Sequence, residues 1–195
     1  MARNEKDFSV PVGTTFQPTL RWGTGVYSAK AITGISASTP AVVTAVGHGV
    51  PNGWPCAVVG ALGMVEINAT RYPPQGTDWH NANVLGVDTV QFNDVGSELF
   101  TPWTSGGHLV FDTPADLSTY TFSLAIYADA NRTGTPLVTL TSSPAAGITV
   151  DNTLKTIVPL LQTAGLTWTT GYYRLDATTG AGVVTEILRG AINIQ

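Results

Sequence analysis

The side chains of this sequence that could serve as nucleophiles or metal ligands include one cysteine, Cys56, and three histidines, His48, His80 and His108. A thiolate nucleophile needs a base such as histidine within reach, and no histidine is close to Cys56 in the sequence. Cys56 follows a tryptophan and a proline, and we interpret it as a small buried hydrophobic residue. No histidine pair has the spacing of a zinc site, so no metal ligand is predicted. His48 lies between two glycines, and we expect its imidazole to bond to the backbone of a turn.

Two pairs of carboxylates could in principle perform acid–base chemistry. Asp112 and Asp116 flank a proline, and Asp94 and Glu98 flank a glycine. A glycosidase holds two such groups about 5–9.5 Å apart around a sugar, but turn formation and capping explain carboxylates in loops more simply. The sequence contains no Gly-x-Ser-x-Gly motif, no recognisable Ser-His-Asp set and no glycine-rich phosphate loop. We therefore predict no catalytic residue and no cofactor, and we expect the protein not to be an enzyme.

Three tryptophans, Trp54, Trp79 and Trp103, cluster in the middle of the chain. Aromatic side chains on loops can stack on sugars or act as hot spots at protein interfaces. Alternatively, they fill or cap the core of a small domain, which needs large side chains. We take the three tryptophans as candidate partner contacts and keep the core interpretation as the alternative.

The chain carries unusually few charged side chains. They make up 11% of the residues, against about 25% in an average soluble domain. Hydrophobic residues make up 43%, which does not fit a disordered chain. Because a folded domain with few charges tends to associate, we expect other subunits to cover its surface, and we expect a homo-oligomer.

The distribution of charge and hydropathy excludes several partners. The formal net charge is −4, and the nine lysines and arginines are scattered and form no basic stripe, so nucleic-acid binding is not expected. No run approaches the ~18 apolar residues of a membrane helix, so no membrane contact is predicted. The first seven residues are polar and carry no apolar stretch typical of a secretory signal. We expect the chain to be made and folded in a cytoplasm.

Secondary structure is predicted to be almost entirely β. Threonine and valine favour strands, while 21 glycines and 12 prolines mark turns, and helical patterns are nearly absent. The strand candidates after the first block are residues 31–35, 41–45, 56–59, 63–67, 83–85, 89–92, 108–111, 120–128, 137–141, 147–150, 154–160, 172–176 and 183–194.

The order of these strands predicts one domain nested inside another. Residues 8–22 are predicted to form a strand pair around a turn at residues 13–15, and a lone hairpin must join a sheet elsewhere because it is marginal in water. Matching strands resume only after about residue 110. We predict an all-β, immunoglobulin-like β-sandwich of about seven strands, interrupted by a small β-barrel or sandwich module. The predicted domains are residues 1–29 plus 112–195, and residues 30–111.

Both blocks resemble modules that are common in tailed-phage virion proteins. One set of segments is similar to the N-terminal sandwich of phage upper-baseplate and fibre-attachment proteins. It consists of residues 16–22 joined to residues 120–127, followed by residues 137–140, 147–150, 156–160, 171–176 and 188–190. In such proteins this module docks a peripheral component to the tail or baseplate.

The middle block resembles a small β module of phage tail proteins that is named for its likeness to a β domain of ubiquitin-activating enzymes. The matching segments are residues 32–35, 40–45, 48–49, 52–53, 60–68, 85–88 and 104–107. The likeness implies no ubiquitin chemistry, because the module lacks a catalytic cysteine motif. Residues 72–81, with two prolines and Trp79, depart from the pattern and mark a candidate contact surface.

These resemblances imply a non-enzymatic structural protein of a bacteriophage virion, in the tail, baseplate or fibre-attachment region. It would be assembled in the host cytoplasm and would contact other virion proteins through its sandwich. Two alternatives stay open. One is a capsid or collar decoration protein, and the other is a carbohydrate-binding module that contacts a host glycan.

Overall fold

A computed structural model describes residues 5–195, so the first four residues of the predicted 1–29 segment lie outside the described residues. It confirms the all-β prediction, because the described residues form strands and three short 3₁₀ helices. None of the helices in this described part of the chain is long and apolar enough to cross a membrane. The strands are β1 (Phe8–Val10), β2 (Thr15–Phe16), β3 (Gly23–Ala31), β4 (Gly34–Ile35), β5 (Ala41–Thr44), β6 (Pro55–Leu62), β7 (His80–Gly86), β8 (Thr89–Phe92), β9 (Ser105–Pro114), β10 (Tyr120–Tyr127), β11 (Val138–Ser142), β12 (Ala145–Ala146), β13 (Ile148–Asp151), β14 (Thr156–Pro159), β15 (Leu161–Gln162), β16 (Thr170–Thr179) and β17 (Val184–Ile194). The 3₁₀ helices are Val65–Ile67, Gly76–Asp78 and Leu117–Thr119.

The chain divides into two compact units. Unit 1 contains the described residues up to Trp22 together with Asp116–Gln195, and unit 2 is Gly23–Ala115. These bounds differ from the predicted 29/30 and 111/112 boundaries. The reason is that β3 pairs with β9 at Gly23 and again from Tyr27 to Ala31, so both strands belong wholly to unit 2.

Unit 1 is built on a six-stranded sheet with the order β1-β17-β16-β10-β11-β12. The side chains of Phe122, Leu124 and Ile126 on β10 are buried, as their alternation predicts. On the neighbouring strand, Leu175 lies opposite Leu124 and Tyr173 lies opposite Ile126, and both are buried. These cross-strand pairs form the centre of the unit's core.

Short strands form the second layer of unit 1. β13 pairs with β14, and β15 pairs with β2. Leu20 extends this layer, because its backbone exchanges hydrogen bonds of 3.0 and 2.9 Å with Ile157 on β14. Phe16, Leu20, Ile157 and Leu161 are all buried. Unit 1 is therefore a β-sandwich.

The predicted N-terminal hairpin is wrong. Its turn exists, with Gly13 at φ 77°, but the strands on either side of it do not pair with each other. β1 lies parallel to β17, and β2 lies antiparallel to β15. The turn carries the chain from one layer of the sandwich to the other, so each strand finds a partner near the other end of the sequence.

Unit 2 is a barrel that stays partly open along β3. Its strand order is β3-β9-β6-β7-β8-β5-β4, and the two ends of this order belong to one stretch of chain. β3 pairs with β9, and β4, which starts three residues after β3 ends, pairs with β5. Between them the N–H of Ile32 donates to Gly107 and the N–H of Thr33 donates to Thr44. The chain from β3 to β4 therefore links the two ends of the sheet at Ile32 and Thr33, while β3 itself pairs on one side only.

Apolar side chains fill the interior of this barrel. Core positions lie on β5, β6, β8 and β9, and Met64 and Ile67 join them from the segment after β6. The buried core residues are Ile32, Ala41, Val43, Ala45, Val50, Trp54, Cys56, Val58, Ala61, Met64, Ile67, Ala82, Val90, Phe92, Leu109 and Phe111.

The strand predicted at residues 63–67 is also wrong, because a 3₁₀ helix occupies Val65–Ile67. Gly63 adopts φ +83°, and a side chain there would lie 2.8 Å from the backbone nitrogen of Thr104. This left-handed residue ends β6 and turns the chain. Met64 and Ile67 are both buried at a spacing of three residues, which suits a helical turn and not a strand.

Candidate interaction site

A stacked pair of aromatic rings lies on the surface of unit 2. The ring centroids of Tyr27 and Trp79 are 6.0 Å apart, with 15° between the ring planes. Tyr27 is 40% exposed and Trp79 is partly buried. We refer to Tyr27 and Trp79 as the aromatic pair. Offset stacking of this kind contributes about 0.5–1.5 kcal/mol beyond area burial.

The aromatic pair lies on the outer face of the barrel. Leu109 and Phe111 belong to the core, so the alternation of β9 directs Val110 to the outer face. Tyr27 and Ala57 share that face through their register with β9. Val110 and Ala57 are nevertheless only 1% and 0% exposed. The outer face of the barrel is therefore shielded from solvent at these two residues.

A compact loop built around Asp78 positions Trp79. One oxygen of the Asp78 carboxylate accepts the backbone N–H of Thr70 at 2.9 Å and the Thr70 hydroxyl at 3.0 Å. The other accepts the backbone N–H of Gln75 at 3.0 Å, and the N–H of Asp78 donates back to the Gln75 carbonyl. The N–H groups of Thr70 and Gln75 lower the pKa of Asp78. The ionised carboxylate thus closes the loop immediately before Trp79.

The prediction of Trp54 as a partner contact is wrong. Trp54 is 3% exposed and belongs to the core of the barrel. Its indole N–H donates to the Asp112 carbonyl at 2.8 Å, which satisfies the only polar group of the ring. The alternative interpretation, that a tryptophan fills the core of a small domain, is the correct one for this residue.

Trp103 is partly buried and packs against the same core. Its indole N–H donates to the Gly106 carbonyl at 3.1 Å. Trp79 stacks on Tyr27, which lies opposite Asp112. Gly106 and Asp112 lie near opposite ends of β9, about 20 Å apart along the strand. The structure therefore does not bring Trp79 and Trp103 into one surface cluster.

The potentially reactive side chains are used structurally. Cys56 is fully buried, and burial raises the pKa of its thiol, which is the opposite of what a nucleophilic cysteine requires. As predicted, the imidazole of His48 bonds to a turn: Nδ1 accepts the Val50 N–H at 3.0 Å. His80 Nδ1 lies 2.8 Å from an Asp94 carboxylate oxygen, and its ring stacks on Phe92.

The carboxylates flanking the proline belong to different units and have separate roles. Asp116 accepts the Ser118 backbone N–H at the start of a 3₁₀ helix, as the capping interpretation predicts. Asp112 accepts the Gly25 N–H at 2.9 Å, and burial raises the pKa of its carboxyl. Among the described residues, no three histidine, cysteine, aspartate or glutamate side chains group in a way that could hold a metal ion.

The sequence interpretation marks residues 72–81, with Trp79, as a candidate contact surface, and this loop holds one ring of the aromatic pair. It places Tyr27 in the outer block, because the pairing of β3 with β9 cannot be recognised from spacing. The role of Asp78 in closing the loop is also missed, although Gln75 and Asp78 have the spacing of a capping box.

No family model matches this chain, and no curated protein shows a significant match to it.

Proposed function

We propose that the chain is a non-enzymatic structural protein of a tailed-phage virion, in the tail, baseplate or fibre-attachment region. The observation that carries the proposal is the nested architecture. A sandwich formed by both ends of the chain is interrupted after Trp22 by a barrel. This arrangement supports the resemblance of the two blocks to phage docking and tail modules. The sandwich would dock to other virion proteins, and the protein would reside in the virion after assembly in the host cytoplasm.

Exposed apolar side chains on both units support a role in assembly. Leu99 is 98% exposed and Val87 is 77% exposed on unit 2, and Val12 is 68% exposed on unit 1. Scattered apolar residues are ordinary on a protein surface, but here only 11% of the residues are charged. Contact with neighbouring subunits would remove these side chains from water and stabilise the assembly.

Native mass spectrometry of the full chain tests this proposal. We expect a closed oligomer with a single subunit number, since most soluble homo-oligomers have closed symmetry. This oligomer should persist on dilution into the low micromolar range. Size-exclusion chromatography with light scattering gives the same mass independently. A monomer at all concentrations, with no self-association up to the millimolar range, would contradict the assembly role.

The aromatic pair favours a second candidate, a module that binds a host glycan. Sugar rings stack on exposed aromatic faces, and Trp79 is positioned by a loop that its neighbour Asp78 closes. Binding of the chain to a glycan array, lost in Trp79→Ala and kept in Tyr72→Ala, would favour this candidate. Tyr72 is a suitable control because it is 65% exposed in the same loop. Binding to no glycan would exclude it.

A further inference from the structure

One strand of the barrel leaves a row of backbone groups without a partner in the described chain. β3 is nine residues long and pairs only with β9, at Gly23 and, after an irregularity, in one regular run from Tyr27 to Ala31. The N–H of Ile32 donates to the Gly107 carbonyl at 3.0 Å, so the backbone N–H and C=O groups of Ile32 point toward β9. Along an antiparallel pair, every second residue directs these backbone groups toward the neighbouring strand. Tyr27, Ala29 and Ala31 therefore direct their N–H and C=O groups away from β9. We refer to the outer side of these three residues as the β3 edge.

The β3 edge has little of the protection that isolated sheet edges normally carry. Proteins block such edges with proline, several charges, bulges or very short strands. The stretch from Tyr27 to Ala31 contains no proline, keeps one register with β9 and has a single charge, Lys30. Tyr27, Ala29 and Ala31 are exposed. An edge of this composition is suited to receive another strand.

We propose that the β3 edge pairs antiparallel with the β3 edge of a second copy of this chain, about a two-fold axis at Ala29. Ala29 would lie opposite Ala29 of the second copy, and Tyr27 would lie opposite Ala31. All three outward residues then form hydrogen-bonded pairs, which gives about six backbone hydrogen bonds across the axis. The contact is isologous, so it closes on itself and does not extend into a fibre.

The side chains fit this register. On the outer face, each Tyr27 ring would lie across from a small Ala31 side chain, and the two Ala29 methyl groups would meet at the axis. On the other face, each Lys30 would lie opposite Ser28 of the second copy and not opposite the second Lys30. Like charges therefore do not face each other directly. The segment is self-complementary in both size and charge, which favours a second copy over an unrelated strand.

This inference rests on the proposed assembly role, because it names one self-contact of the assembly. Ala29→Pro in the full chain removes one outward N–H from each copy and places a ring against the second strand. It leaves the pairing of β3 with β9 intact, since the Ala29 N–H points away from β9. The matched control is Ala29→Val, which adds similar bulk and keeps the N–H. We expect Ala29→Pro to raise the dissociation constant of the self-contact by at least about tenfold in sedimentation experiments, and Ala29→Val to leave it within about threefold.

A second pair of variants covers the case in which Ala29→Pro fails to fold. Ala29→Lys and Ala29→Glu each place like charges across the axis, so each alone should associate more weakly than the parent chain. Mixed in equal amounts, the two variants should associate again, because a lysine on one copy then faces a glutamate on the other. Unchanged association of Ala29→Pro and of both charge variants would overturn the inference while leaving the assembly role intact. A monomeric parent chain would contradict both. Recovery of association in the mixture, with weak association of each variant alone, indicates that residue 29 of one copy lies close to residue 29 of the other.

Discussion

Replacing Gly190 by alanine should detach the N-terminal strand from unit 1. Gly190 lies on β17 beside the incoming chain, and a Cβ there would be 2.6 Å from the carbonyl carbon of Lys6 and closer still to its oxygen. The obstacle is backbone, which cannot rotate away as a long side chain can. Either β17 bends, or the chain from Lys6 to β1 moves outward.

The cost follows from the contacts that hold this segment. The N–H of Lys6 donates to the Arg189 carbonyl at 2.9 Å, and the Lys6 carbonyl accepts the buried Tyr173 hydroxyl at 2.7 Å. The N–H of Ala191 donates to the Asp7 carboxylate at 2.7 Å. Three hydrogen bonds at about 0.5–1.5 kcal/mol each give a loss of about 1.5–4.5 kcal/mol in the free energy of unfolding of unit 1.

Urea unfolding followed by tryptophan fluorescence measures this loss, and limited trypsin digestion after Lys6 reports the detachment directly. Gly180→Ala is the control: Gly180 lies in the turn between β16 and β17, and a Cβ there meets no atom within 4 Å. We expect Gly190→Ala to be less stable than the control and to be cleaved faster at Lys6. Equal stability and equal cleavage in the two variants would refute the placement of the N-terminal strand against β17.

The buried and hydrogen-bonded groups of both units support four further predictions. Trp54→Ala should lower the free energy of unfolding of unit 2 by about 3–5 kcal/mol, because the ring fills the core, whereas Trp79→Ala should lower it clearly less. Urea titration of both variants tests this order, and an equal loss of stability in the two would contradict it. The lowered pKa of Asp78 stabilises the folded state above about pH 4, the unfolded pKa, and this contribution disappears as the pH falls through the folded pKa. Asp78→Asn should therefore have a lower free energy of unfolding than the parent chain at pH 7, and the difference between the two should shrink in acid. A difference that does not change with pH would argue against an ionised Asp78. Cys56 should react with a thiol reagent only on unfolding, so rapid labelling of the native chain would contradict its burial. Replacing residues 23–115 by a short Gly-Ser linker should leave unit 1 able to unfold cooperatively in calorimetry, and loss of that transition would count against nesting.

Elements encoded by local patterns were predictable from the sequence. The strict alternation of Phe122, Leu124 and Ile126 gave β10 and its buried face, and Thr89–Phe92 was predicted with its observed bounds. The turn role of His48 and the burial of Cys56 followed from their immediate neighbours. Each of these features depends on contacts within a few residues, which a pattern can express.

Features that depend on distant partners were not predictable. The segment around Gly13 has the turn of a hairpin, but its strands pair with residues near the other end of the chain. The link between the two ends of the barrel sheet depends on the chain from β3 to β4 bonding first to β9 and then to β5. The same limit applies to the site: no local pattern separates the buried Trp54 from the stacked Trp79, because the difference lies in what packs over each ring.

The most direct test of the proposed structural role is quantitative mass spectrometry of purified virus particles from the source of this gene. If the chain is a tail, baseplate or fibre-attachment subunit, its peptides are present at a fixed copy number relative to the other tail proteins. That ratio stays constant after the particles are washed at high salt. Absence of the chain from purified particles, or its loss on washing, would contradict the account.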